Sequence, residues 1–201
     1  NPDGKNYAYD VEEMKLLLDD LCVEAGVEVR LLARAVGAAR DSENRLSVVI
    51  TESKSGREAW HASVFIDATG DGDLAAVAGC GFDMGSAETG DVQPMSLMAL
   101  LTGLQFDQIE AYVGGAMSEP KKRLGKLMTD IGVAPSYGNP TLFRIRDDLF
   151  ALMANHQYGV KCDDAAAITA ATLRGRGEIH RQVEALRGQG GVWSDVRVVS
   201  T

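Results

Sequence analysis

The stretch "SVFIDATGDGDLAAVAG", residues 63–79, places three aspartates and three glycines directly behind an apolar β-type run. Val64, Phe65 and Ile66 predict a buried strand, and the small residues that follow predict a tight turn into a short helix, "DLAAVAG". Three readings compete for the turn. A calcium loop of the pattern D-x-[DN]-x-[DN]-G needs oxygen ligands and a closing bidentate glutamate. Asp67, Asp71, Gly72 and Asp73 meet part of it, but Thr69 stands at its third position and Ala78 where the glutamate is required. No GK[ST] follows, so a Walker phosphate loop fails as well. "GCGFDMG" (79–85) spaces its glycines suggestively yet follows a helix, not a strand. In the nucleotide reading the strand delivers its C-terminal end to a cofactor crevice, where small residues let the backbone approach closely. Ala68 and Gly70 supply that closeness, Thr69 and the next amides bond to cofactor oxygens, and Asp71 or Asp73 accepts from a hydroxyl or caps the helix. The third reading is a strand, a glycine turn and an Asp-capped helix with no ligand.

Upstream, Met14, Leu17, Leu18, Leu21 and Ala25 recur at spacings of three and four, which predicts a helix from Asp10 to Ala25. Asp10 suits the N-cap, Glu13 completes a capping box, and Gly26 stops the helix. "VEVRLLARAV" (27–36) then alternates Val27, Val29 and Leu31 as a strand, so a helix feeds a strand through a very short connection. "LSVVIT" (46–51) and "EAWHASVFI" (58–66) predict two strands joined by a hairpin at Ser55-Gly56. Past Gly85 the pattern changes, with helices expected through "FDQIEAYV" and "PKKRLGKLM". "TLFRIR" and "LFALMANHQYGV" predict strands, and a long helix starts at Asp163 or Asp164, with Ile179, Val183 and Leu186 facing the core. Gly175 and Gly177 weaken its middle by about 1 kcal/mol each relative to alanine.

A chain of 201 residues, 45% hydrophobic and 24% charged, supports one sizeable core and a second lobe. Its formal charge of −9 repels nucleic acid and anionic lipid, so neither is an expected partner. Cys22, Cys80 and Cys162 stand far apart, giving no disulfide framework and no metal spacing. With no apolar run of membrane length and no basic-then-apolar start, the expectation is a cytoplasmic protein. "VRVVST" ends the sequence on a β-type run, which suggests a piece of a longer chain.

"VFIDATGDGDLAAVAG" resembles the segment that ends a sheet strand beside the flavin nucleotide in FAD-dependent oxidoreductases of the glutathione-reductase-like superfamily. It looks in particular like the family that includes flavoproteins of the heterodisulfide reductase type. "EEMKLLLDDLCVEAGVEVRLLARAVGAA" is similar to the family's helix and strand before an interposed hairpin, and "QPMSLMALLTGL" to the opening of its substrate lobe. "MANHQYGVKCDDAAAITAATLRGRGEIHRQVEALR" looks like its later strand and long helix. The resemblance implies an α/β fold, part of a FAD-binding Rossmann-like domain with an inserted, mostly helical α+β substrate lobe. It divides the chain into residues 1–85 (partial FAD-binding domain), 86–160 (substrate lobe) and 161–201 (helix and strand returning toward the FAD domain).

Carried over by position, Ala68, Thr69, Gly70, Asp71, Gly72 and Asp73 match the cofactor side, and Val36 matches the residue whose backbone meets the adenine. The family's G-x-G-x-x-G opening and its later Arg- and Gly-rich flavin segment have no counterpart here, so the chain looks like the middle of a longer flavoprotein. No cysteine cluster is present to carry an iron–sulfur centre over. The implied cofactor is FAD, and the implied partners are a small-molecule substrate and an electron acceptor. The alternative is a non-catalytic α/β ligand-binding or interaction module on the same scaffold.

Flavins carry the redox chemistry themselves, so sequence names few catalytic residues. "NHQYG" (155–159) concentrates hydrogen-bonding groups after an apolar strand, making Asn155 and His156 the substrate-side candidates, with Tyr158 beside them. An imidazole suits proton transfer near neutral pH, which makes His156 the proton-transfer candidate; the competing reading makes these turn and surface residues after a strand. His61 falls on a hairpin strand and His180 on a charged helix. Arg174 and Arg176 either hold an anionic substrate or form a solvated helix face.

Overall fold

The computed structural model describes residues 8–114 and 119–201. The start of the expected FAD-binding segment, residues 1–7, and residues 115–118 of the expected substrate lobe lie outside the described residues. The chain divides into two compact units, one of Asn1–Leu17 with Asp91–Thr201 and the other of Leu18–Gly90. The class is mixed α/β. Both sheets are antiparallel, and among the described residues no parallel ladder forms.

Helix α1 (Val11–Glu24) begins and ends as its sequence predicts. Asp10 Oδ1 accepts from the N–H groups of Glu12 (3.0 Å) and Glu13 (3.4 Å), satisfying donors that the first turn leaves free. Gly26 adopts φ 67°, and the Val27 N–H donates back to Cys22 O over 2.9 Å, closing the last turn. Yet the helix buries none of its residues.

In the unit Leu18–Gly90, strands β1 (Arg34–Arg40), β2 (Leu46–Ser53) and β3 (Gly56–His61) form one sheet in that order. The β2–β3 hairpin pairs Ser53 with Gly56, whose φ of 100° suits glycine alone; the turn residues are Lys54 and Ser55, one position before the expected Ser55-Gly56. Helix α2 (Asp73–Val77) follows the glycine turn. Two strand expectations need correction. Residues 27–33 are not a strand, and the run expected through residue 66 stops at His61. A strand exists only where a neighbour takes its backbone N–H and C=O groups, and no described segment supplies one. Their apolar side chains stay open to solvent accordingly: Leu31 is 73% exposed, Val64 72% and Ile66 84%. The buried hydrophobic residues of this unit are Val49, Leu74 and Ala78 alone among those described.

The other unit has the larger core. Its sheet runs β5-β6-β4-β7, from β4 (Ala99–Thr102), β5 (Thr141–Arg146), β6 (Leu149–Met153) and β7 (Arg197–Ser200). β4 lies within a continuous apolar run, "MALLTGL", without the alternation that marks a strand in sequence. The expected β6 continuation into "NHQYG" ends at Met153. Short helix α3 (Phe106–Ile109), the 3-10 turn Glu110–Tyr112 and α4 (Glu119–Asp130) bury Ile109, Leu124 and Met128. The long helix α5 (Ala165–Gly188) is N-capped by Asp164, which accepts from the Ala167 N–H at 2.9 Å. Ile179, Val183 and Leu186 join Leu101, Phe150 and Leu152 in one core, as the spacing predicts.

Residues 161–201 belong to the same compact unit as residues 91–160. β7 pairs with β4 through Leu101↔Val198 and Thr102↔Arg197, and α5 shares the core of residues 91–160. The sheet and its buried face bind these pieces together. No helix among the described residues is long and apolar enough to cross a membrane.

Candidate functional site

The turn after residue 66 is organised by Asp67. Its Oδ1 accepts from the Thr69 N–H (2.9 Å) and hydroxyl (2.7 Å), and its Oδ2 accepts from the Ala75 N–H inside α2 (2.8 Å). Thr69 Oγ1 in turn accepts from the Asp73 N–H at 2.8 Å. One carboxylate and one hydroxyl thus cap α2 from before the turn. The Thr69 hydroxyl, followed by the Thr69 and Ala75 amides, holds the Asp67 carboxyl below its ordinary value, because each bond favours the charged form.

This corrects the expectation that Asp71 or Asp73 caps the helix. Neither carboxylate has a partner among the described residues, and both stand exposed beside the turn. Gly70 (φ 88°) and Gly72 (φ 76°) carry the chain around, and a side chain at either would meet nothing within 4 Å. The N–H groups of Gly70, Asp71 and Gly72 find no acceptor among the described residues. Successive free amides in a turn are groups that can bind oxygen-bearing ligands. Ala68 precedes it on an exposed backbone. Sequence reasoning considered Asp67 only as a metal ligand; the Asx-turn pattern Asp67-x-Thr69 was the available signal.

Arg40, which sequence reasoning did not single out, ties β1 to the far end of α2. Its Nε donates to Ala78 O (2.8 Å) and its Nη1 to Asn44 Oδ1 (3.0 Å). A cavity of ≈ 270 Å³ lies against this strut, lined by Arg40, Phe65, Asp67, Leu74 and Cys80 among others. Val36 sits at a β-bulge of β1: Ala35 pairs with Thr51 and Gly37 with Ile50, leaving Val36 without a register partner.

In the larger unit the structure separates the two substrate-side candidates. Asn155 is fully buried, and its amide clamps one residue: Oδ1 accepts from the Leu97 N–H (3.2 Å) while Nδ2 donates to Leu97 O (2.8 Å). One acceptor site and one N–H of the amide are thus spent on the Leu97 backbone, which Asn155 positions. His156 is half-buried; its backbone N–H donates to Ser136 Oγ (2.9 Å), and the Ser136 hydroxyl and N–H both donate to Glu178. Tyr158 is exposed, with its ring edge-on to His156 at 5.8 Å. Arg174 donates to Gln157 Oε1 at 3.1 Å and Arg176 to Thr201 Oγ1 at 3.3 Å, both on an exposed helix face. His61 and His180 are exposed, on β3 and α5.

A cavity of ≈ 400 Å³ opens on the sheet face opposite α5's core, lined by Tyr9, Met98, Leu100, Phe143, Ile145 and Thr201 among others. Its lining is almost wholly apolar and carries no charged side chain, a composition that suits small-molecule sites.

The profile of one protein family, described as FAD dependent oxidoreductase, matches residues 1–201, and the chain belongs to that family. The cofactor of the family is FAD. No curated protein sequence and no solved structure matches the chain.

Proposed function

We propose, from membership of the FAD dependent oxidoreductase family, that this chain supplies one wall of a flavin site and a substrate lobe to an enzyme that oxidises or reduces a small molecule. The carrying observation is the prearranged turn of residues 67–73, in which three neighbouring amides stay free while Asp67 and Thr69 hold the backbone. The donor set fits FAD. The amides suit cofactor oxygens, the missing side chains at Gly70 and Gly72 leave room, and the unpaired Asp71 and Asp73 carboxylates suit hydroxyl donors. Two carboxylates repel phosphate, so a FAD bound here would meet them with its hydroxyl-bearing part rather than its diphosphate. The bulge at Val36 releases a stretch of backbone from the ladder register, which suits recognition of an adenine edge by main chain.

When bound, FAD supplies hydride or electron transfer. The chain's own residues orient the cofactor, offer an apolar cavity to the substrate, and place His156 as a proton-transfer group. The finer assignment is to flavoproteins of the heterodisulfide reductase type, with an electron acceptor as second partner. The exposed apolar residues Leu31, Val64 and Ile66 support a wall completed by polypeptide that pairs with those segments, as a Rossmann-like sheet does.

An absorbance spectrum of the purified full-length protein tests this reading. Flavin bands, as purified or after reconstitution with FAD, are expected; their absence in both preparations overturns it. The isolated 201 residues are expected to bind FAD weakly or not at all, and a tight stoichiometric complex in a titration would contradict the single-wall arrangement.

A further inference from the structure

Two residues sixty apart in sequence meet at the His156 ring: Ser96 Oγ lies 2.6 Å from His156 Nδ1. Two aromatic rings flank the imidazole: Tyr137 lies tilted against it with centroids 4.3 Å apart, and Tyr158 meets it edge-on at 5.8 Å. The backbone N–H of His156 donates to Ser136 Oγ at 2.9 Å. Ser136 is held in turn by both oxygens of Glu178, at 2.8 and 2.9 Å. The imidazole is therefore held by Ser96, Tyr137 and Tyr158, while Ser136 and Glu178 anchor its backbone.

The Ser96 hydroxyl has one proton to give, and His156 Nδ1 is the one acceptor the described residues place within its reach. A hydroxyl that donates to Nδ1 requires a lone pair there, which puts the ring proton on Nε2. Nε2 meets no partner among the described residues, on a residue only half-buried.

We propose that Ser96 is a positioning residue that sets His156 in the Nε2–H tautomer, so that this edge presents an N–H donor to an oxygen acceptor, a carbonyl or carboxylate, on the substrate. The substrate side of this inference rests on the oxidoreductase reading; the tautomer rests on the chain's own geometry alone.

Nitrogen–hydrogen correlation spectroscopy on the chain with isotope-labelled histidine, at a pH where the rings are neutral, tests it. His156 is assigned by the signal lost in His156→Gln, and His61 and His180 serve as internal controls of folding. The expected result is a pyrrole-type Nε2 and a pyridine-type Nδ1 for His156. In Ser96→Ala the two nitrogens move toward tautomeric averaging, whereas Ser96→Thr, which keeps the hydroxyl, retains the wild-type pattern. A protonated Nδ1 in the wild type, or an unchanged pattern in Ser96→Ala with the control signals intact, overturns the proposal. Should Ser96→Ala not fold, the wild-type tautomer and the Ser96→Thr spectrum still decide it. A full-length protein without flavin would refute the redox reading and leave the tautomer result standing, so the two failures are distinguishable.

Discussion

Asp67 holds Thr69 twice, accepting from its amide at 2.9 Å and from its hydroxyl at 2.7 Å with a single carboxylate oxygen. This pair sets the backbone of the glycine turn before any ligand arrives. The other oxygen caps α2 at Ala75, so turn and helix respond to the same side chain.

Acid should loosen this knot. The bonds keep the folded Asp67 carboxyl below its unfolded value, so the unfolded state takes up the proton first as pH falls. The stabilisation is complete above the unfolded carboxylate range and disappears as pH falls through the folded value. In Asp67→Ala, amide hydrogen exchange at Asp73 and Ala75 should quicken at neutral pH, and the difference from wild type should shrink toward acid. A difference that does not change with pH would contradict the charged-cap account.

Gly103 and Gly132 share a left-handed backbone, at φ 80° and 81°, but not their surroundings. A Cβ at Gly103 would lie 2.0 Å from Asp195 O, against backbone, whereas one at Gly132 meets nothing within 4 Å. Gly132→Ala should cost the backbone penalty alone, about 1–2 kcal/mol. Gly103→Ala should cost about 4 kcal/mol or more, since the β4–β7 connection must shift. Urea denaturation of both variants decides, and equal losses would show that no clash operates.

Removing the Asn155 amide leaves the part-buried Leu97 N–H and C=O without these partners. At roughly 1–2 kcal/mol for each part-buried orphaned group, Asn155→Ala should lose about 2–4 kcal/mol in chemical denaturation. A loss below about 1 kcal/mol would mean that water replaces the clamp at little cost.

Gly175 is a helix-interior glycine that alanine should improve. A Cβ there would lie 3.5 Å from Leu97 Cβ and from Asn155 Oδ1, an ordinary contact distance. Gly175→Ala should therefore gain up to about 1 kcal/mol from helix propensity, measured as a raised denaturation midpoint. Gly175→Val should lose stability, because its extra methyls have no room beside Asn155. A destabilised alanine variant would show that the close packing of α5 on Leu97 requires glycine.

Much of the local structure was legible in sequence because its causes are local. Asp10 and Gly26 bound α1, Gly56 closes its hairpin, and Ile179, Val183 and Leu186 mark the buried stripe of α5. Within the candidate site, the glycine turn could be located and its cofactor named through the resemblance, but not which carboxylate holds it. On paper only the Asp67-x-Thr69 spacing of an Asx turn sets Asp67 apart from Asp71 and Asp73. Only folding shows that Asp67 points back to the turn while the others remain unpaired.

By itself the sequence determined the caps of α1 and α5, the hairpin, the helical stripes and the ATGDGD turn, since each depends on neighbours a few residues away. Tertiary structure decided where strands end, which sheet takes β4 and β7, and that Ser96, Tyr137 and His156 converge. The physical reason is that a strand needs a second strand for its hydrogen bonds, and a site assembled across sixty residues leaves no periodic trace in the chain.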